Sequence, residues 1–199
     1  VVVPDLLPDV VGERLGCDHE RVERQDASAH AGLANPQPPL PVQYADFAVW
    51  QRNWLTGNAL DEQVAYWRKQ LAGSSPALHL PTDYPRPAEH SYRGALQPFH
   101  VPEGLTADLK KLCKQEGVTM FMLLMAAWQT LLHRYTWQDD ILVGSFIANR
   151  RHAEFEPLIG CMINTLIFRG NLSGNPLFTE FLHQMRSVAF EAYAHQDVP

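Results

Sequence analysis

The stretch from Met120 to Leu132 is the longest apolar run in the chain. It falls well short of the ~20 residues that a helix needs to span a bilayer, and Gln129 and Thr130 interrupt it. It reads as a buried core helix, because a helix apolar on most sides must be covered by other elements. Thr119 stands before it as an N-cap, and the helical pattern runs to about Tyr135.

The segments around this helix alternate in period. Ala95–Val101 is expected as a strand, with Pro98 marking an edge or bulge. Thr106 is expected to cap a short helix carrying Leu109 and Leu112, ended by Gly117. Asp140–Ile147 and Met162–Phe168 read as strands. Asn175 is expected to cap a last helix, with Pro176 at its first position and a stripe of Phe178, Phe181, Leu182, Met185, Val188 and Ala189. Helices alternating with strands predict a layered α/β fold.

The first part of the chain is different. Residues 1–34 are interrupted by Pro4, Pro8, Gly12 and Gly16, and the charged stretch Asp18–Gln25 shows no clear apolar face, so they read as an atypical N-terminal segment with a non-native origin as one reading. Pro36, Pro38, Pro39 and Pro41 make a stiff connector. Tyr44, Phe47, Ala48, Gln51 and Trp54 then fall on one helical face, with Gly57 as the stop. Asn58 is expected to cap a second helix carrying Val64, Trp67, Arg68 and Leu71, with Gly73 just past its end. Residues 74–94, rich in Pro, His and Ser, form a long connection.

Composition excludes several functions. With 46% hydrophobic and 19% charged residues, the 199-residue chain can bury a sizeable core and is not of the disordered class. A net charge of −6 argues against nucleic acid and against an anionic membrane surface as partners. Cys17, Cys113 and Cys161 have neither zinc-ligand spacing nor the look of a disulfide framework, so a reducing, cytoplasmic setting is expected. The histidines show no metal-site pairing, and no phosphate loop or nucleophile elbow occurs. No metal and no directly bound cofactor is expected.

Five stretches taken together resemble the condensation domains of nonribosomal peptide synthetases. Tyr44-Ala45-Asp46-Phe47-Ala48-Val49-Trp50 is similar to that family's Tyr-x-Asp-Tyr/Phe-Ala-x-Trp motif. Val143-Gly144-Ser145-Phe146 through Arg150 resembles its Val-Gly-x-Pro-x-x-x-Arg segment. Ile159-Gly160-Cys161-Met162-Ile163-Asn164-Thr165 through Arg169 resembles its Ile-Gly-x-Phe-Val-Asn-Thr…Arg segment. Asn175-Pro176-Leu177-Phe178 and His195-Gln196-Asp197-Val198-Pro199 match the segments that follow, in order. The resemblance covers about residues 35–199. Trp137 stands where the family usually has a turn glycine, and Phe146 where it usually has proline.

The resemblance implies an incomplete lobe like that of chloramphenicol acetyltransferase, a mixed sheet with packed helices. On that reading residues 35–94 close the N-terminal lobe and 95–199 begin the C-terminal lobe. It also implies amide formation between substrates held as thioesters on phosphopantetheine arms, with peptidyl carrier and adenylation domains as partners. An epimerization or other acyltransferase relative, or a non-catalytic remnant or docking scaffold, is the alternative.

The family's active centre is a His-His pair, three residues, then Asp-Gly, and this sequence contains neither His-His nor Asp-Gly. Whether the chain is an enzyme is left open, and no catalytic residue is assigned. By resemblance, Asn164 and Ser145 are candidates to face the substrate tunnel. Arg93, with Arg169 next, is the candidate to pair with the aspartate of the missing motif. Asp46, Trp50, Arg150, Arg169, His195, Gln196 and Asp197 are expected to act structurally.

Overall fold

A computed structural model describes residues 32, 40–75, 77–85, 89, 95 and 97–198. The readings of residues 1–31 and 33–39, and of Arg93, lie outside the described residues. The chain divides into two compact units. One holds the described residues up to Gly73, with Val143–Phe168 and the chain from Phe190 onward. The other holds Ser74–Leu142 and Arg169–Ala189.

In the first unit, helix α1 (Tyr44–Trp54) forms where the aromatic spacing predicts it. The Asp46 carboxylate turns back to accept the Gln43 backbone N–H at 2.8 Å, which satisfies a donor with no partner inside the helix. Phe47 is the residue α1 buries. It packs with Phe155, Leu158 and Met162, with Leu40 and Val42 against the cluster. Helix α2 (Gly57–Leu71) begins after Thr56 rather than after Asn58, because the preceding turn closes at Thr56, whose hydroxyl donates to Asn53 O at 3.1 Å. Gly73, past its end, takes a left-handed φ of 68°.

In the second unit, α3 (Glu103–Glu116) packs on α4 (Met120–Thr136). Thr106 is not the cap of α3. Its hydroxyl donates to Pro102 O at 3.1 Å, and the cap position belongs to Pro102. Gly117 ends α3 with φ 63°, and the Thr119 hydroxyl caps α4 by accepting Met122 N–H at 3.2 Å. The apolar run is a core helix, with Phe121, Met122, Leu123, Met125, Ala126 and Leu132 buried. The Gln138 side chain holds the preceding connection, accepting His79 N–H at 2.7 Å and donating to Ala77 O at 3.1 Å.

Strand β1 covers Asp140–Ile147 as expected, and β2 covers Asn164–Asn171, shifted from the predicted Met162–Phe168. The two pair in one sheet. Leu172 N–H donates to Asp139 O at 2.8 Å, joining the end of β2 to the start of β1 in antiparallel sense. Ala95 and residues 97–101 are not a strand. Pro98 supplies no ladder donor, and among the described residues the sheet has only β1 and β2.

Helix α5 spans Phe178–Ala194, and Asn175 is not its cap. Asn175 sits in a left-handed turn at φ 54°, and the Glu180 carboxylate accepts Leu177 N–H at 2.9 Å instead. Within the second unit, Gly170 of β2 lets the Gln129 side chain and the Phe181 ring reach its backbone. A side chain at Gly170 would collide with both. No helix of the described residues is long and apolar enough to cross a membrane.

Candidate functional site

Four of the five recognisable stretches, apart from Arg169 at the end of one, lie in the first unit. Beyond β1 the chain turns at Asn149, whose φ of 52° is left-handed, a conformation Asn tolerates better than most residues. Arg150 follows and is only 4% exposed. Its Nη1 donates to the carbonyls of Phe155, Glu156 (3.3 Å) and Leu158 (2.9 Å), and its Nη2 to Gly160 O at 3.3 Å. One rigid fork of donors thus gathers the whole following turn, which a lysine's point charge would not do. That turn carries a 3-10 segment, Ala153–Phe155, and delivers Phe155 and Leu158 to the Phe47 cluster. Gly160 then passes under the Tyr44 ring, and Tyr44 Oη donates to Cys161 O at 3.0 Å.

Asn164 opens β2 and fastens the last described residues. Its Nδ2 donates to Gln196 O at 2.9 Å and Val198 O at 2.7 Å, while its Oδ1 accepts Thr165 N–H at 2.8 Å. Buried Asp197 accepts from Arg151 Nη1 at 2.7 Å. Its own N–H reaches Gln63 Oε1 at 3.3 Å, and Gln63 Nε2 donates to Ala194 O at 3.3 Å. A buried carboxylate is costly unless paired, and Arg151 supplies the pairing. Trp67 Nε1 donates to His195 O at 2.7 Å, and the His195 ring stacks on Tyr66 with centroids 4.0 Å apart. Burial, and then the charge of Glu191, push the Tyr66 phenol up to about 12.

Within the first unit, α1, residues 149–155 and Asp197 line an open cavity of about 510 Å³, walled by Phe47, Trp50, Trp54, His152 and Phe155, with Arg151 and Asp197 beside them. Trp50 and Trp54, one helical turn apart, stack at 5.5 Å with planes 8° apart. Ser145 belongs to the same unit and is 1% exposed, and its hydroxyl has no hydrogen-bond partner among the described residues. Arg169 lies in the second unit. Its Nε and Nη2 donate to the two Asp140 oxygens at 2.7 and 2.9 Å, and this pairing raises its pKa above the usual guanidinium value. Asp46, Trp50, Arg150, Asn164, Ser145, His195, Gln196 and Asp197 therefore share one unit. Gln63 and Arg151 were not singled out by sequence. Their partner Asp197 is distant in the chain, and a mid-helix glutamine carries no local signal of a tertiary role. No group of residues suited to hold a metal ion occurs among the described residues.

Known proteins share this fold. The structure is similar to the X-domain from teicoplanin biosynthesis, with a TM-score of 0.80 and 30% identity, over 92% of this chain and 43% of that one. It also shares the fold of the first condensation domain of the CDA synthetase, with a TM-score of 0.70 and 17% identity, over 94% of this chain and 40% of that one. The fold class is therefore the chloramphenicol acetyltransferase-like one, and the chain corresponds to part of it. A linear gramicidin synthase polypeptide from Brevibacillus parabrevis is 55% identical over 168 residues, which is 84% of this chain but 3% of that protein. The family model described as Condensation domain matches residues 27–199. The chain belongs to the condensation-domain family, and it spans a small fraction of the length of the curated synthase it matches.

Proposed function

We propose that this chain acts within a nonribosomal peptide synthetase as the part of a condensation domain that braces the reaction channel. Peptidyl carrier domains are its partners, and adenylation domains supply them. The phosphopantetheine arms belong to those carriers and arrive as part of the substrates.

The observation that carries this reading is the Asn164 clamp. A single amide ties the start of β2 to the carbonyls of Gln196 and Val198 at 2.9 and 2.7 Å. Two of the family's sequence stretches are thereby held at fixed distance, a rigid frame of the kind that precise positioning of two reactants needs. In the reaction, an amine attacks a thioester carbonyl. A C–N bond forms, the C–S bond breaks, the thiolate leaves, and the amine proton passes to a base.

The His-His-x-x-x-Asp-Gly sequence is absent from these 199 residues, so the chain carries the frame and not the base. A general base typically contributes about 10²–10⁴ in rate. The test is to incubate the chain with two loaded carrier domains and quantify amide product by mass spectrometry. No product above the enzyme-free rate is expected, and the rate should appear when the histidine-bearing portion of a condensation domain is joined ahead of it. Product from the chain alone, or none from the joined protein, would overturn the reading.

A further inference from the structure

A second hollow, about 340 Å³, runs along α1 beside the larger cavity. Phe47, Trp50, His152 and Phe155 wall it, and Asp46 and Glu154 stand at its edge. The rings form a tight set. Trp50 lies 5.2 Å from Phe155 and 5.5 Å from His152, and His152 lies 5.1 Å from Phe155, all centroid to centroid. Phe47 and Phe155 are buried, while Trp50 is 37% exposed and turns part of its surface to the hollow.

We propose that this hollow receives an arginine side chain carried by an extended segment of a partner protein or domain. The proposal concerns a docking surface and stands apart from the amide-forming reading.

Three features select that occupant. The floor is aromatic and apolar, which suits the methylene stem of a long side chain. Trp54 stacks on one side of the Trp50 indole, and the part of Trp50 that stays exposed offers aromatic surface that attracts a cation, a guanidinium more than a strongly hydrated ammonium. Two carboxylates flank the rings, and among the described residues neither Asp46 nor Glu154 has an ion-pair partner. The nearest cation in the adjoining cavity, Arg151, is already committed to Asp197 at 2.7 Å. Asp46 also accepts the Gln43 N–H at 2.8 Å, yet an apolar side chain would fill the floor and leave both negative charges without a cation. An acidic one would be repelled by them.

The experiment uses the full chain and three pentapeptides, acetyl-Ala-Ala-Xaa-Ala-Ala-amide, with arginine, citrulline or norleucine at the centre. Binding is followed through the tryptophan indole N–H signals by nuclear magnetic resonance. The arginine peptide is expected to shift the Trp50 signal saturably. The uncharged peptides should bind about tenfold more weakly or worse, the scale of one desolvated cation–π contact with a neighbouring carboxylate. Glu154→Gln should weaken arginine binding several-fold without altering the melting temperature, because Glu154 is exposed. Equal binding of the citrulline or norleucine peptide, no shift at Trp50, or unchanged affinity in E154Q would overturn the proposal.

Discussion

The Tyr44 ring lies over the backbone of Gly160 so closely that a methyl group there would overlap Cδ2 and stand 2.9 Å from Cε2 and Cγ. The Tyr44 hydroxyl then donates to Cys161 O at 3.0 Å. Glycine is needed at this point because the ring occupies the space a side chain would take. Gly160→Ala is expected to displace the ring, break that hydrogen bond and cost ~1–3 kcal/mol, as overpacking does. Tyr44→Phe should cost less, roughly 0.5–1.5 kcal/mol, because it removes only the hydrogen bond. Denaturant midpoints of both variants and the double variant check this. Additive losses would contradict the contact.

Trp137 ends α4 in the left-handed region at φ 58° and is 83% exposed. A non-glycine residue there costs about 1–2 kcal/mol, and the exposed indole recovers little by packing. Trp137→Gly is expected to stabilise the protein by ~0.5–1 kcal/mol, once the larger unfolded-state freedom of glycine is subtracted. Thermal melts of the two proteins measure the difference, and a lower melting temperature for W137G would contradict it.

Asn164 gives both N–H groups to backbone carbonyls and accepts a third bond on its oxygen. Asn164→Asp turns the donors into acceptors that face the Gln196 and Val198 carbonyls. It should destabilise more than Asn164→Ala, with each carbonyl left unsatisfied costing about 1–3 kcal/mol. Amide hydrogen exchange at residues 195–198 should accelerate in both variants, and unchanged protection there would remove Asn164 as the clamp.

Burial pushes the phenols of Tyr193 and Tyr66 up to about 12, from an ordinary value of 10.0. The unfolded chain loses these protons first, so the folded state holds more protons between pH 10 and 12. The stability tied to both groups is fully present below pH 10 and is lost as pH rises toward 12. Ultraviolet titration of tyrosinate should show two late phenols in the native protein that merge with the rest in denaturant. Tyr193→Phe should remove one of them.

The elements themselves were legible wherever the signal was local. The period of Tyr44, Phe47 and Trp54 marks α1, the apolar run marks α4, and Asp140–Ile147 emerges as β1 with its full bounds. Caps were less legible. Thr106 and Asn175 are good capping types, yet their backbone surroundings assign them otherwise: one sits within α3 and bonds back to the carbonyl of its cap Pro102, and the other turns left-handed before α5. The strand expected over 95–101 is not formed at Ala95 and residues 97–101, where a local reading of the chain cannot supply a hydrogen-bonding neighbour.

Sequence by itself determined the family and the order of its motifs, since residue types at fixed spacing survive in the linear text. It also determined that the His-His-x-x-x-Asp-Gly sequence is absent from these residues. Only the tertiary structure decided what the motif residues do for one another: that Arg150 gathers four carbonyls, that Asn164 clamps Gln196 and Val198, and that Gln63 and Arg151 share Asp197. The reason is physical. A helix or strand is specified by neighbours a few residues away, whereas a buried hydrogen bond pairs groups as far apart as 134 positions, and nothing local in the chain encodes that pairing.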